Sequence, residues 1–174
     1  MINKYIISNG AAELFVTQRN GKTHSVFVDE ENIKKLKELD VLWHVQWNEK
    51  ANKYYAHATI YLGNSKYKNI MLHTFLFGER GKTIDHKDNN GLDNREANIR
   101  ITTKSNNCKN RFGRNSNNTS GYRNVSWIRG HWRVQLQANG KNHMFPEKFE
   151  DVDKAGRFAK SMRKKYYGDF AGKE

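Results

Sequence analysis

Residues 84–111 constrain the chain more than any other stretch: Ile-Asp-His-Lys-Asp-Asn-Asn-Gly-Leu-Asp-Asn-Arg-Glu-Ala-Asn-Ile-Arg-Ile-Thr-Thr-Lys-Ser-Asn-Asn-Cys-Lys-Asn-Arg. An acid and a histidine, Asp85 and His86, stand side by side on a short extended run. A loop rich in Asn, Asp and Gly follows, then a second apolar run at 99–101 directly after Asn98. A basic, Asn-rich segment from Thr103 reads as a helix, with Thr102 placed to accept a first-turn amide as its N-cap. Neighbours on a strand point to opposite faces. One of the pair can therefore hold a metal while the other activates a water across a phosphate. Asp is a hard oxygen ligand of the kind Mg²⁺ accepts, and neutral His is a good general base near pH 7. An amide oxygen of Asn106 or Asn107 could complete the metal site. The plain alternative is an Asx-rich hairpin turn with an exposed histidine, since these residues favour turns anyway. The Asp-His pair alone does not exclude that, but the whole string argues against it.

The string resembles the HNH nuclease family, in the form found in phage and intron-encoded homing endonucleases. The likeness covers residues 84–111 and begins upstream at Met71-Leu72-His73. It implies a ββα-metal fold that binds one divalent cation and cleaves phosphodiester bonds. By that resemblance Asp85 is the first metal ligand, His86 the general base, and Asn98 the middle Asn that ties the loop to the His-bearing strand. Asn107 matches the last motif position as a metal ligand, with Asn106 one register away. His73 matches an upstream family histidine, to be weighed against a helix-face packing role. The implied cofactor is Mg²⁺, with Mn²⁺ as the alternative. Many HNH proteins add a structural zinc on paired cysteines; this chain has one cysteine, Cys108, so no such zinc is expected.

Charge points the same way. Lys and Arg number 31 against 18 Asp and Glu, a formal net of +13. The bias is uneven: residues 97–146 hold nine Lys or Arg and no acid. Such a block repels itself unless a polyanion covers it, which argues for nucleic acid, here double-stranded DNA. A single cysteine fits a reducing compartment. No apolar run approaches a membrane span and the N-terminus lacks a signal-peptide pattern, so a cytoplasmic protein is expected.

The fold class expected is α+β, in four segments. Residues 1–66 read as a β-rich platform, with strands at 5–7, 13–17, 23–28, 41–47 and 54–62. Asp29 is placed to cap a helix at 30–39. This part carries no catalytic constellation, and His24, His44 and His57 read as isolated structural or surface residues. It too resembles the β-rich N-terminal part of phage HNH proteins. Residues 67–112 form the nuclease core. Residues 110–120 read as a polar, basic linker, of which 113–120 lie between the two domains, that cannot bury a core and in which Arg111 and Arg114 could follow a phosphate backbone or groove. Residues 121–174 form a small three-stranded antiparallel sheet packed on one helix. Its strands are expected at 122–127, 132–138 and 142–145, and its helix runs from Asp151 or Asp153 to Tyr167, stopped by Gly168.

In the middle strand Trp132, Val134 and Leu136 alternate with Arg133, Gln135 and Gln137, so an apolar face packs on the helix and a polar face is left open. Arg and Gln can make paired hydrogen bonds to guanine and adenine edges, and a sheet can enter the major groove. Ser120 to Ala171 resembles the plant APETALA/ethylene-response-factor DNA-binding domain, which is also found appended to phage HNH nucleases. The likeness rests on Ser-Gly-Tyr-Arg-Asn-Val-Ser-Trp, Trp-Arg-Val-Gln-Leu, Asn-Gly-Lys and Tyr-Gly-Asp-Phe-Ala. It implies a DNA face of Arg123, Ser126, Arg133, Gln135, Gln137, His143 and Phe145. Ser126, Gln135 and Gln137 stand where plant members often carry Arg or Glu, so a different sequence would be read.

The combined expectation is a site-specific DNA endonuclease that nicks once per active site, as a monomer or a homodimer. The competing readings are a DNA-binding regulator with an inactive nuclease centre, and an RNA-binding protein using exposed aromatics such as Trp127 and Phe145.

Overall fold

A computed structural model describes residues 3–78, 82–111 and 113–173. The architecture is α+β, with several small antiparallel sheets and four α-helices among the described residues. Contacts divide the chain into two compact units, Met1–Lys104 and Ser105–Glu174.

In the first unit, β1 (Tyr5–Ser8), β2 (Ala11–Thr17) and β3 (Thr23–Asp29) form an antiparallel meander. Period-2 alternation drives Ala12, Leu14 and Val16 of β2 and Val26 and Val28 of β3 to one face. Helix α1 (Asn32–Leu39) lays Ile33 and Leu36 on that core. Asp29 does not cap it. Asp29 closes β3, and its Oδ2 accepts the Glu96 amide at 2.8 Å, so the carboxylate is committed elsewhere and the helix starts later than expected.

A second meander comprises β4 (His44–Asn48), β5 (Lys53–Tyr61) and β6 (Tyr67–Met71), followed at once by α2 (Leu72–Phe77). Leu72 and Leu76, one helical turn apart, enter the same core as Leu14, Trp43 and Ala58. The expected boundary near residue 66 is therefore not a break between cores. A two-stranded hairpin of β7 (Thr83–His86) and β8 (Ile99–Thr102) completes the unit. Thr102 still pairs with Thr83, so it is strand rather than cap, and α3 (Lys104–Lys109) begins two residues on, at the border of the two units.

The second unit holds β9 (Val125–Ile128), β10 (His131–Ala138) and β11 (Lys141–Met144), with β10 in the middle, and α4 (Val152–Tyr167). The side chain of Asp151 caps α4 through the amides of Asp153 and Lys154. Val125, Val134, Ala155 and Ala159 form a separate small core. The segment expected to be a loose tether is folded onto this unit. Asn118 donates from Nδ2 to the carbonyls of Tyr122 and Val125, both at 3.0 Å, and the Ser120 hydroxyl lies 3.0 Å from each of the same carbonyls. Short polar side chains satisfy the turn's own backbone here, a local order that composition does not reveal. Phe112, inside that segment, lies outside the described residues. Among the described residues no helix is long and apolar enough to cross a membrane.

Candidate active site and nucleic-acid face

The loop between β7 and β8 is braced at several points within the first unit. Phe27 of β3 donates its amide to the Leu92 carbonyl at 2.9 Å and accepts from the Asn94 amide at 2.7 Å. Arg95 forks onto Asp93 through Nε–Oδ1 at 2.8 Å and Nη2–Oδ2 at 2.6 Å. Gly91 lies so close to β5 that a Cβ there would meet the Tyr54 carbonyl oxygen at 2.3 Å and the Tyr55 ring at 2.7 Å. Asn98 closes the loop from inside: Nδ2 donates to the Asp93 carbonyl at 2.8 Å, and Oδ1 accepts the Asp88 amide at 3.1 Å.

This bracing fixes Asp85 and His86, which are 2 % and 3 % exposed. Asp85 faces Arg100 across the hairpin; its Oδ2 accepts a hydrogen bond from Arg100 Nε at 2.8 Å and forms an ion pair with Nη2 at 2.7 Å. His86 lies on the other face of the strand, its Nε2 3.2 Å from Asn94 Oδ1. With the amide oxygen accepting, Nε2 carries the ring proton and the imidazole lone pair falls on Nδ1. Burial holds the His86 pKa below the ordinary histidine value, against an upward pull from the Asn94 hydrogen bond. A lowered pKa favours the neutral ring near pH 7.

His73, on α2, stands edge-on to His86 with ring centroids 5.0 Å apart. Its Nδ1 is buried without a hydrogen-bond partner among the described residues. Burial, helped by the charges of His86 and Lys53, lowers its pKa to about 3. Both histidines also meet the Tyr55 ring, His73 at 5.7 Å and His86 at 5.9 Å. Tyr55 and its strand neighbour Lys53 come from a segment in which sequence reasoning found no chemistry. The signal was absent from the local pattern, because β5 reaches the loop through long-range contacts, at Gly91 and Asn89 among others. His44 and His57, read as isolated, face each other across β4 and β5 with centroids 6.0 Å apart.

Asn106 and Asn107 lie on α3 in the second unit. Asn106 Oδ1 accepts from Lys109 Nζ at 3.0 Å, while Asn107 is exposed. Among the described residues no group of three or more His, Cys, Asp or Glu is arranged to hold a metal.

In the second unit the strand register sorts the expected DNA face. Ser126 is opposite Arg133, and Gln135 and Gln137 continue that face along β10. His143 and Phe145 do not share it. His143 pairs with Leu136, an inward position, and its ring lies 5.0 Å from Tyr166 of α4, while Phe145 packs edge-on to Phe158 at 5.5 Å. Asn142 and Met144 hold the outward positions of that strand instead.

Arg123 is also not on the open face. It is 3 % exposed, with Nη1 donating to the carbonyls of Arg111 at 2.7 Å and Ala171 at 3.1 Å, and Nη2 to that of Lys109 at 3.0 Å. It clamps the incoming segment and the C-terminal tail to the sheet. Burial lowers its pKa to about 10. Arg133 is half-buried and donates to the Phe145 carbonyl at 3.0 Å; Arg111 bonds Asn115, and Arg114 is exposed. No family model, no curated protein and no solved structure matches this chain.

Proposed function

We propose that the chain is a metal-dependent DNA endonuclease of the HNH type, nicking DNA at Asp85–His86 and reading sequence with the sheet β9–β11. One observation carries this reading: a buried histidine, oriented by Asn94, stands back to back with a carboxylate on a strand whose loop is locked by Asn98. In this reading His86 takes a proton from water at Nδ1, and the hydroxide attacks the phosphorus in line. Asn94 holds the ring, and the hydrophobic and aromatic surroundings exclude competing solvent. Arg133, Gln135, Gln137 and Ser126 offer the outward side chains for base edges.

The residues present suit a hard divalent ion, Mg²⁺ or Mn²⁺. Such an ion needs few protein ligands because it keeps waters and takes oxygens from the substrate. Asp85 would be one ligand. The ion would neutralise charge on the phosphate and the leaving 3′ oxygen.

A second reading, a DNA-binding regulator without cleavage, is favoured by the Arg100 ion pair on Asp85, which places a cation where the metal's carboxylate is needed. Supercoiled plasmid incubated with Mg²⁺, Mn²⁺ or EDTA, beside His86→Ala, separates the two. Metal-dependent open circles that the variant fails to produce support the nuclease. Linear product would add a second coordinated site. Cutting by His86→Ala at the wild-type rate removes the base assignment, and binding without cutting on large libraries leaves the regulator.

A further inference from the structure

Lys53 opens β5, thirty-two residues before Asp85 in sequence, yet it belongs to the same site. Its Nζ reaches Asn89 Oδ1, in the β7–β8 loop, at 3.2 Å, and stands 5.8 Å over the Tyr55 ring. That ring in turn meets both His86 and His73. The ammonium carries three donors, and Asn89 takes one at a long distance. No carboxylate lies within ion-pair distance of it among the described residues, because Asp85 is engaged by Arg100. The side chain is half-buried, and burial lowers its pKa from the ordinary lysine value against an upward pull from the charges of Asp85 and Asp88. A half-buried cation with two unused donors, beside a general-base histidine, is built to receive an anionic oxygen. Positively charged clamps on phosphoryl oxygens are worth most where water is excluded.

We propose that Lys53 is a catalytic residue of this site: its ammonium binds a non-bridging oxygen of the scissile phosphodiester and stabilises the charge that grows there during attack. The proposal rests on the nuclease reading for its reaction and on the Lys53–Asn89–Tyr55–His86 geometry for its place. Asn89 aims the ammonium, which stands over the Tyr55 ring. Gly91 permits the approach that brings β5 to the loop.

Two measurements on the full chain test it. In the first, plasmid nicking is followed for wild type, His86→Ala, Lys53→Met and Lys53→Arg. Methionine keeps an unbranched apolar stem and removes the charge. The expected result is a fall in kcat of about 10²-fold for Lys53→Met with KM near the wild-type value, and partial recovery in Lys53→Arg. Wild-type kcat in Lys53→Met overturns the proposal, whereas loss of cutting in both variants with a lowered melting temperature marks a structural prop and overturns it equally. In the second, the lysine ε-methylene NMR signals of the wild-type protein are followed in EDTA as inorganic phosphate is added, with Lys53 assigned from Lys53→Arg. A saturable shift at Lys53 is expected, and a Lys53 signal that stays still while others move overturns the proposal. Should wild type cut no DNA, the nuclease reading falls by itself and the phosphate titration still decides whether Lys53 is an anion ligand.

Discussion

His73 illustrates how one buried group sets a pH limit on the first unit. Its Nδ1 has no partner among the described residues, and its pKa in the fold is about 3, against about 6.5 in an unfolded chain. The folded state therefore binds fewer protons than the unfolded state between those values. The stability concerned is fully present above about pH 6.5 and is lost as pH falls toward 3. Below about pH 6 the slope approaches 1.4 kcal/mol per pH unit for this one proton. Urea unfolding at pH 7 and pH 4.5 should show a larger drop for wild type than for His73→Phe, which keeps an aromatic ring against His86 and cannot charge. Equal drops would mean that His73 does not titrate as its burial requires. Arg100 offers a second residue-scale test. It is the ion partner of a 2 % exposed carboxylate, so Arg100→Met leaves Asp85 short of its cation. Removing one member of a buried pair costs about 3–5 kcal/mol, and the double change Arg100→Met with Asp85→Asn should recover a large part of it. Chemical denaturation of the three variants measures the coupling.

At the scale of elements, α4 sets two rules against each other. Gly156 lies in the interior of the helix, where Ala would be favoured by roughly 1 kcal/mol on propensity. A Cβ at that position would meet the Tyr122 ring at 2.5 Å, closer than real contacts come. Overpacking of this kind costs about 1–3 kcal/mol, so Gly156→Ala should lower the melting temperature, and a rise would show that Tyr122 yields freely. The same helix shows what the sequence made legible. The stripe Ala155, Phe158, Ala159, an acidic cap at Asp151 or Asp153 and the Gly168 stop are all local signals, and the helix follows them, with Asp151 as the cap. β10 was equally readable because alternation is local. What escaped was long-range. The faces of His143 and Phe145 depend on the register of β11 against β10, which the sequence alone leaves free by one residue. Arg123 was expected on the DNA face through the resemblance of residues 120–171 to a DNA-binding domain, and only the fold reveals the three backbone carbonyls that accept from it. The Asp85–His86 pair and the role of Asn98 in closing the loop were visible in the motif. Lys53 and Tyr55 were not, since nothing near them in sequence points to a strand 32 residues away.

For the whole molecule the governing quantity is charge. The chain carries a formal +13, and residues 97–146 hold nine cations without an acid. If double-stranded DNA is the partner, binding must release condensed counterions, and log K should fall linearly with log salt at about 0.9 per phosphate neutralised. The second unit lets position and specificity be separated. Arg114 is exposed and Gln137 is exposed on the outward face of β10, so neither change disturbs a core. Arg114→Ala should weaken binding to all sequences alike and reduce the salt slope by about 0.9. Gln137→Ala should leave the slope unchanged and cost about 1–3 kcal/mol only on the preferred site. Fluorescence anisotropy on a selected site and on a scrambled duplex, each across a salt series, reads both quantities. A slope near zero for wild type would remove nucleic acid as the partner, and equal losses on both duplexes for Gln137→Ala would reassign the sheet from reading bases to following the phosphate backbone.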